Sequence, residues 1–157
     1  MEPTLSHIDP EGKARMVDVS AKEVTPRKAV AEGYVAMKRE TLEVLRSGKG
    51  PKGEVFGVAR VAGILAAKRT GELIPLCHPL PVEQVTVDFA IEEGRVRIEA
   101  SATITAKTGV EMEALMAVSM AGLTIIDMLK AIDKGMRMEG VRVVSKSGGR
   151  SGDLRNG

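Results

Sequence analysis

The sequence predicts an α+β fold in which an antiparallel sheet carries helices packed on one face. Three observations support this. Residues 81–109 alternate apolar and polar side chains with a two-residue period, residues 108–134 form a long apolar helical stretch, and the elements run in the order strand, two helices, hairpin, helix, strand. A doubly wound parallel sheet fits that order less well. The whole chain, residues 1–157, reads as one domain, of a size that buries a core without staples.

Residues 1–13 are polar and turn-rich and read as a flexible N-terminal arm. "ARMVDVS" (14–20) reads as a short strand, and "AVAEGYVAM" (29–37), after the "TPRK" break, as another, though without clean alternation. "KRETLEVLRSGKG" predicts a short helix with Leu42 and Leu45 on one side and a glycine-terminated end. In the following segment Val58, Val61, Ala62 and Leu65 keep helical spacing, and Gly71 is placed to close that second helix. The hairpin is the clearest local signal. Val85, Val87, Phe89 and Ile91 alternate with Thr86, Asp88, Ala90 and Glu92 up to a turn at Glu93-Gly94, and Val96, Ile98, Ala100, Ala102 and Ile104 alternate with polar residues after it. A last strand lies in "MRMEGVRVVSKSGG", followed by a glycine-rich tail, residues 148–157.

The long helical stretch carries no charge from Ala114 to Ile126, thirteen residues, with Glu111 and Glu113 before it and Asp127 and Lys130 after. At 100° per residue it has two sides. Leu115, Val118, Gly122, Ile125, Ile126, Leu129 and Ile132 fall on the side expected to cover the sheet, and Glu113, Met116, Met120, Leu123, Asp127 and Lys130 on the other. An outer side this apolar calls for a cover. A second copy of the chain is the simplest one, because few elements remain for a third layer. Glu113 and Asp127 lie about 21 Å apart along the axis, fourteen residues at 1.5 Å each, too far for one small substrate to bridge. Two copies packed antiparallel about a two-fold axis would set Glu113 of one against Asp127 and Lys130 of the other. The plainer alternative is a helix-start carboxylate favoured by the dipole and a surface Asp127–Lys130 ion pair.

Composition narrows the function. With 43% hydrophobic and 28% charged residues the chain resembles an ordinary soluble globular protein. Only 2% of residues are aromatic, so the core is aliphatic and a base-stacking RNA platform is improbable. A formal net charge of +2 is too small for a general nucleic-acid field, so any anion site is local. One Cys and two His allow neither an internal disulfide nor a structural zinc set, which excludes a metal site of that kind and favours a reducing cytoplasm. The N-terminus lacks the apolar stretch of a signal peptide, and no uninterrupted apolar run reaches the ~18 residues of a membrane span. The expected setting is cytoplasmic, with no nucleic-acid or membrane partner.

Several short stretches carry candidate chemistry. "IPLCHPL" holds Cys77 and His78 between Pro75 and Pro79, which stiffens the chain around them. The rival reading is a buried thiol and a structurally bonded imidazole. "SGKGPKGE" places Lys49 and Lys52 in a Gly/Pro loop before a helix, where N–H groups and an ammonium suit phosphate, although the GK[ST] ending of a P-loop is missing. "SKSGGRSGD" sets Lys146 and Arg150 in similar chain, with a frayed basic tail as the alternative. Arg27, after "TP", is weak evidence alone.

Taken together, "SHID", "MVDVS", "PLCHPL", "KTGVEMEAL", "DMLKAIDK" and "KSGGRSG", in this order from about Ser6 to Asp153, resemble the MoaC family of molybdenum cofactor biosynthesis, the cyclic pyranopterin monophosphate synthases. The resemblance implies a ferredoxin-like subunit, a homohexamer built as a trimer of dimers, and active sites at subunit contacts. It implies a lyase that converts a 3',8-cyclo-7,8-dihydroguanosine triphosphate, derived from GTP, into cyclic pyranopterin monophosphate with loss of diphosphate. Through the matched motifs, substrate contacts fall on Leu76, Cys77, His78, Met112 and Glu113, and the catalytic aspartate on Asp127. Lys52, Lys130, Glu111, Lys146 and Arg27 match further functional positions. The cations suit a polyanion and a departing diphosphate, and Asp127 with Lys130 and Lys52 suits proton transfer. No resident cofactor is implied, although a divalent ion can accompany a triphosphate. The rival class is a non-catalytic regulatory module that binds a small molecule on a ferredoxin-like subunit.

Overall fold

The computed structural model describes residues 8–149 and 152–156. In chain order it contains β1 (Thr25–Ala36), α1 (Arg39–Ser47), α2 (Val55–Lys68), α3 (Thr70–Leu73), β2 (Gln84–Glu92), β3 (Arg95–Ala106), α4 (Glu111–Leu129), β4 (Arg137–Ser147) and β5 (Leu154–Arg155). The strands form one antiparallel sheet in the order β2-β3-β1-β4-β5. With α2 and α4 as the layer-forming helices, this is the ferredoxin-like arrangement, extended by one edge strand.

Alternation sets the two faces of the sheet. In β3, Val96, Ile98, Ala100, Ala102 and Ile104 are buried against the helices, and Gly94, at φ 74°, makes the turn back from β2. In β1 the helix-facing positions are Ala29, Ala31, Gly33 and Val35, all buried. Because three of those four are Ala or Gly, and Val30 and Tyr34 face the other way, an apolar/polar pattern is missing there. Glu32 is buried on that opposite face, where it accepts from Arg97 at 3.0 Å and Arg142 at 2.9 Å. Burial resists its ionisation, but those two guanidiniums outweigh burial and hold the carboxyl below its ordinary range.

Small residues bring α4 close to its neighbours. A Cβ on Gly33 would stand 2.7 Å from Val118 Cγ1, and one on Gly122 would stand 2.5 Å from Met138 Cε. On another side of α4, the crossing with α2 is so close that a Cβ on Gly63 would meet the Ala117 carbonyl oxygen. The chain's own α2 therefore supplies part of the cover that was expected from a second copy. Length and apolar composition alone would let α4 cross a membrane, yet half of it is buried within the chain, as in a core helix.

Several expectations need correction. "ARMVDVS" is not a strand: Ala14 makes one isolated bridge to Ile8, and the residues after it pair with no strand. Gly71 does not close α2, which ends at Lys68; it lies in α3, where its missing side chain admits Pro79 and the His78 carbonyl. Val58, Val61 and Leu65 mark α2 correctly but form its exposed side, while Val55, Ala59, Gly63, Ala66 and Ala67 face inward. Ile132 lies beyond the end of α4 and is exposed, and Glu113, assigned to the outer side, is buried. Within the glycine-rich tail, β5 pairs with β4, and Asn156 N–H donates to the Val144 carbonyl. Arg150 lies outside the described residues.

One long-range contact had no sequence signal. The N-cap of α1, Lys38, has no capping side chain of its own, and buried Asp133 performs that task from across the fold. It accepts from Lys38 N–H at 3.0 Å and Thr41 Oγ1 at 2.9 Å, and through its other oxygen from Gly135 N–H at 3.1 Å. Burial opposes its charge, but these three donors win and hold its carboxyl below the usual range.

Close helix crossing makes a direct prediction. Alanine favours a helix over glycine by about 1 kcal/mol, whereas overpacking against a backbone atom costs about 1–3 kcal/mol. We expect Gly63→Ala to lower stability by up to about 2 kcal/mol in a urea titration read by circular dichroism. An unchanged or higher midpoint contradicts the tight α2–α4 contact.

Candidate active site

The predicted residues gather into two groups at opposite ends of α4. At its N-terminal end a cavity of about 260 Å³ is lined by Leu76, Cys77, His78, Glu111, Met112 and Glu113, with Val17, Val19 and Lys22 on another wall. The loop that carries Cys77 and His78 turns through a Cys77 N–H bond to the Ile74 carbonyl at 3.1 Å, and Gly71 lets it fold back against α3.

Three ionisable groups have distinct surroundings here. Glu113 is 3% exposed, and burial, only partly offset by its own backbone N–H and reinforced by the charge of Glu111, raises its pKa to about 7. Burial also pushes the Cys77 thiol up, with a contribution from the Glu113 charge, so it is not a ready thiolate. His78 Nε2 stands 2.7 Å from the Val17 carbonyl. A carbonyl only accepts, so Nε2 carries the proton and a neutral ring keeps its lone pair on Nδ1.

Beside this cavity, Lys146 on β4 reaches Glu111 at 3.4 Å. Gly109 makes room for that carboxylate, since a Cβ there would collide with it. Arg27, on β1, donates from Nε to the Ala106 carbonyl and from Nη2 to the Lys107 carbonyl, each at 3.2 Å. It lines a smaller crevice together with Glu111 and Lys146. Thus eight predicted positions converge at one end of the helix.

The remaining three meet at the other end. Lys130 Nζ lies 2.9 Å from Asp127 Oδ1, and Lys52 Nζ lies 3.2 Å from Asp127 Oδ2. Lys52 sits on a tight turn between α1 and α2, where Gly53 takes φ 95° and its N–H bonds to the Gly50 carbonyl. Hydrogen bonds from Lys130 first and Lys52 second hold the Asp127 carboxyl below its usual range. All three side chains are about half exposed. The length of α4 separates Glu113 from Asp127 by about 21 Å, too far for one small ligand within a single chain to touch both.

Sequence reasoning missed Val17, Val19 and Lys22 as cavity residues, because the alternation in "MVDVS" reads as a strand. His78 instead takes the Val17 carbonyl, leaving the segment irregular. Among the described residues, no three His, Cys, Asp or Glu side chains gather as a metal site would require.

Fold and side chains together define a ferredoxin-like subunit with a pocket lined by two carboxyls, a thiol, an imidazole and a lysine. A model of the MoaC family matches residues 16–149, and the chain belongs to that family. Relatives named "Cyclic pyranopterin monophosphate synthase" align over nearly the whole chain. The protein of Novosphingobium aromaticivorans is 57% identical across 94% of this chain and 94% of its own. That of Pelotomaculum thermopropionicum is 59% identical across 94% and 88%, and that of Thermomicrobium roseum is 54% identical across 96% and 92%. A solved de novo designed protein, Foldit4, is 15% identical with a TM-score of 0.30 over 79% of this chain and 99% of its own, too low to bear on the fold.

The raised Glu113 pKa has a definite sign. Its folded form holds a proton that the unfolded chain releases near the ordinary glutamate value, so this group lowers stability as pH rises from about 4.5 to 7. We expect Glu113→Gln to gain stability over the parent between pH 4.5 and pH 8 by on the order of 2–3 kcal/mol in denaturant titrations. Equal differences at both pH values would show that Glu113 ionises normally.

Proposed function

We propose that the chain is a cyclic pyranopterin monophosphate synthase, a lyase acting on 3',8-cyclo-7,8-dihydroguanosine triphosphate, and that two copies complete each site. The family assignment supports the activity. The observation that supports the shared site is the split of the eleven matched positions between the two ends of one rigid helix. An antiparallel pairing of two α4 helices puts Glu113 of one copy opposite Asp127, Lys130 and Lys52 of the other. Exposed Leu123 on α4 and exposed Val58, Val61 and Leu65 on α2 offer apolar surface for such a contact. A hexamer, as a trimer of such dimers, is the assembly we infer, in the cytoplasm, where the Cys77 thiol stays reduced.

In this reading the roles follow from the environments. Forming a cyclic monophosphate with loss of diphosphate requires a substrate oxygen to bond to the α-phosphorus while the bond to diphosphate breaks. The oxygen's proton passes to a base, and negative charge grows on the departing group. Lys146 and Arg27 hold phosphate oxygens, and Lys52 and Lys130 offset the growing charge. Asp127, kept ionised by its two lysines, accepts and returns protons. Glu113 is half protonated near pH 7, so it can donate a hydrogen bond to the ring or accept one from it. His78 offers Nδ1 to the substrate because Nε2 is committed to Val17.

Asp127→Asn tests the assignment. It keeps the shape of the side chain but leaves Lys52 and Lys130 without a counter-charge, and a lost proton-transfer group typically costs about 10²–10⁴ in rate. We expect product formation from the cyclised guanosine triphosphate, followed by chromatography, to fall by at least about 10² while oligomer size stays unchanged. Near-normal turnover removes Asp127 from the chemistry, and an inactive parent protein removes the activity itself.

A further inference from the structure

Asp133 is 2% exposed and has no part in the chemistry described above, yet both of its oxygens are occupied. Oδ2 accepts from the Lys38 N–H at 3.0 Å and from Thr41 Oγ1 at 2.9 Å, and Oδ1 accepts from the Gly135 N–H at 3.1 Å. Asp133 stands three residues after Lys130, and its own N–H bonds back to the Leu129 carbonyl at 3.1 Å. The bonds from Lys38 and Thr41 therefore tie the start of α1 to the end of α4 that carries Asp127 and Lys130. Among the described residues they are the hydrogen bonds that join α1 to that end of the fold.

The other end of α1 leads to Lys52. A helix of nine residues is marginal by itself, and α1 buries only Thr41, Leu42 and Leu45. Gly48, at φ 71°, closes it with an N–H bond to the Leu45 carbonyl at 3.2 Å, and the Lys49 N–H bonds to Ser47 Oγ at 3.2 Å. Gly50 and Gly53 then pair across the turn that carries Lys52. That turn lies so near α4 that a Cβ on Gly50 would stand 3.7 Å from Leu129 Cδ2. The chain thus meets the end of α4 twice, at Asp133 before α1 and at Leu129 after it. At 1.5 Å per residue α1 is about 13 Å long, so a tilt of about 10° at its start moves its far end by about 2 Å. A displacement of that size breaks the 3.2 Å contact between Lys52 Nζ and Asp127 Oδ2.

We propose that Asp133 is a positioning residue: by holding the start of α1 to the end of α4 it sets the turn on which Lys52 meets Asp127. This rests on the reading that Lys52 and Asp127 act on the substrate. Asp133 touches no reacting group, because three donors within the chain occupy its carboxylate. Its effect on turnover passes through Lys52.

The test compares Asp133→Ala with the parent as full-length oligomers, each with Lys52 intact and with Lys52→Ala. Amide hydrogen exchange read by mass spectrometry reports on the turn without substrate, since the Gly48 and Gly53 N–H groups are hydrogen-bonded. We expect exchange across residues 48–53 to rise at least about tenfold in Asp133→Ala while β3 keeps its protection. We expect kcat to fall roughly tenfold, with KM changed less than about threefold. In the Lys52→Ala background Asp133→Ala should lower kcat by less than about twofold more, because the contact it serves is already gone. Unchanged exchange at residues 48–53 overturns the proposal, and so does a uniform rise that includes β3, which assigns Asp133 to folding alone. An unchanged kcat, or losses from the two substitutions that multiply in full, overturns it as well. Where Lys52→Ala leaves no measurable rate, exchange and the single-variant kcat decide. Should Asp133→Ala fail to assemble, Thr41→Val removes one of the two bonds to α1 and takes its place, with a rise in exchange at residues 48–53 of at least about twofold expected and no rise overturning the proposal. If the parent forms no product, the activity reading fails separately, and exchange still decides whether Asp133 sets the turn.

Discussion

The close seating of α4 is the constraint on which the rest depends. Glycine stands at three of its contacts: Gly33 and Gly122 make room for the Val118 and Met138 side chains between α4 and the sheet, and Gly63 admits α2 to its Ala117 turn. Packing of this kind tolerates little sliding or rotation, since a Cβ at Gly63 would meet backbone and one at Gly33 or Gly122 would displace Val118 or Met138. A helix fixed along its middle fixes both its ends. Glu111 and Glu113 are therefore held against the Cys77–His78 loop, and Asp127 is held against the turn that carries Lys52. The same rigidity keeps the two groups apart within one chain.

The ends also differ in electrostatic character. At one, Glu113 is shut away from water with another carboxylate nearby, and its proton stays bound to about pH 7. At the other, Asp127 lies half exposed between two ammonium groups, and its charge is favoured. Two carboxyls whose environments push their proton affinities in opposite directions are the arrangement that proton-transfer chemistry requires. Neither end has both. The proposed two-fold pairing of the helix would set an acid-holding end against a charge-holding end.

Most of the fold was legible because its signals are local. The β2–β3 hairpin shows period-two alternation around a glycine turn, and α4 shows a charge-free core flanked by acids. Side chains held by distant partners were not legible. Asp133 caps a helix more than ninety residues away in sequence, which no local pattern announces. The alternating Val17 and Val19 look like a strand, but the Val17 carbonyl is taken by His78. The bearing of Glu113 on a helical wheel suggested an outer position, whereas it is buried at a cavity that the loop around Cys77 and the segment holding Val17, Val19 and Lys22 also line. The resemblance to the MoaC family named the site residues that composition and spacing alone had left open, and the coordinates then separated them into two groups.

Subunit complementation addresses the shared site most directly. Glu113→Gln and Asp127→Asn chains, each inactive alone, are dissociated, mixed in equal amounts and reassembled, with hybrid formation verified by mass spectrometry. A site built across the two-fold predicts that each hybrid dimer regains one intact site, so activity returns to as much as about a quarter of the parent value. Verified hybrids that remain as inactive as the separate variants would contradict a site completed by the neighbouring copy.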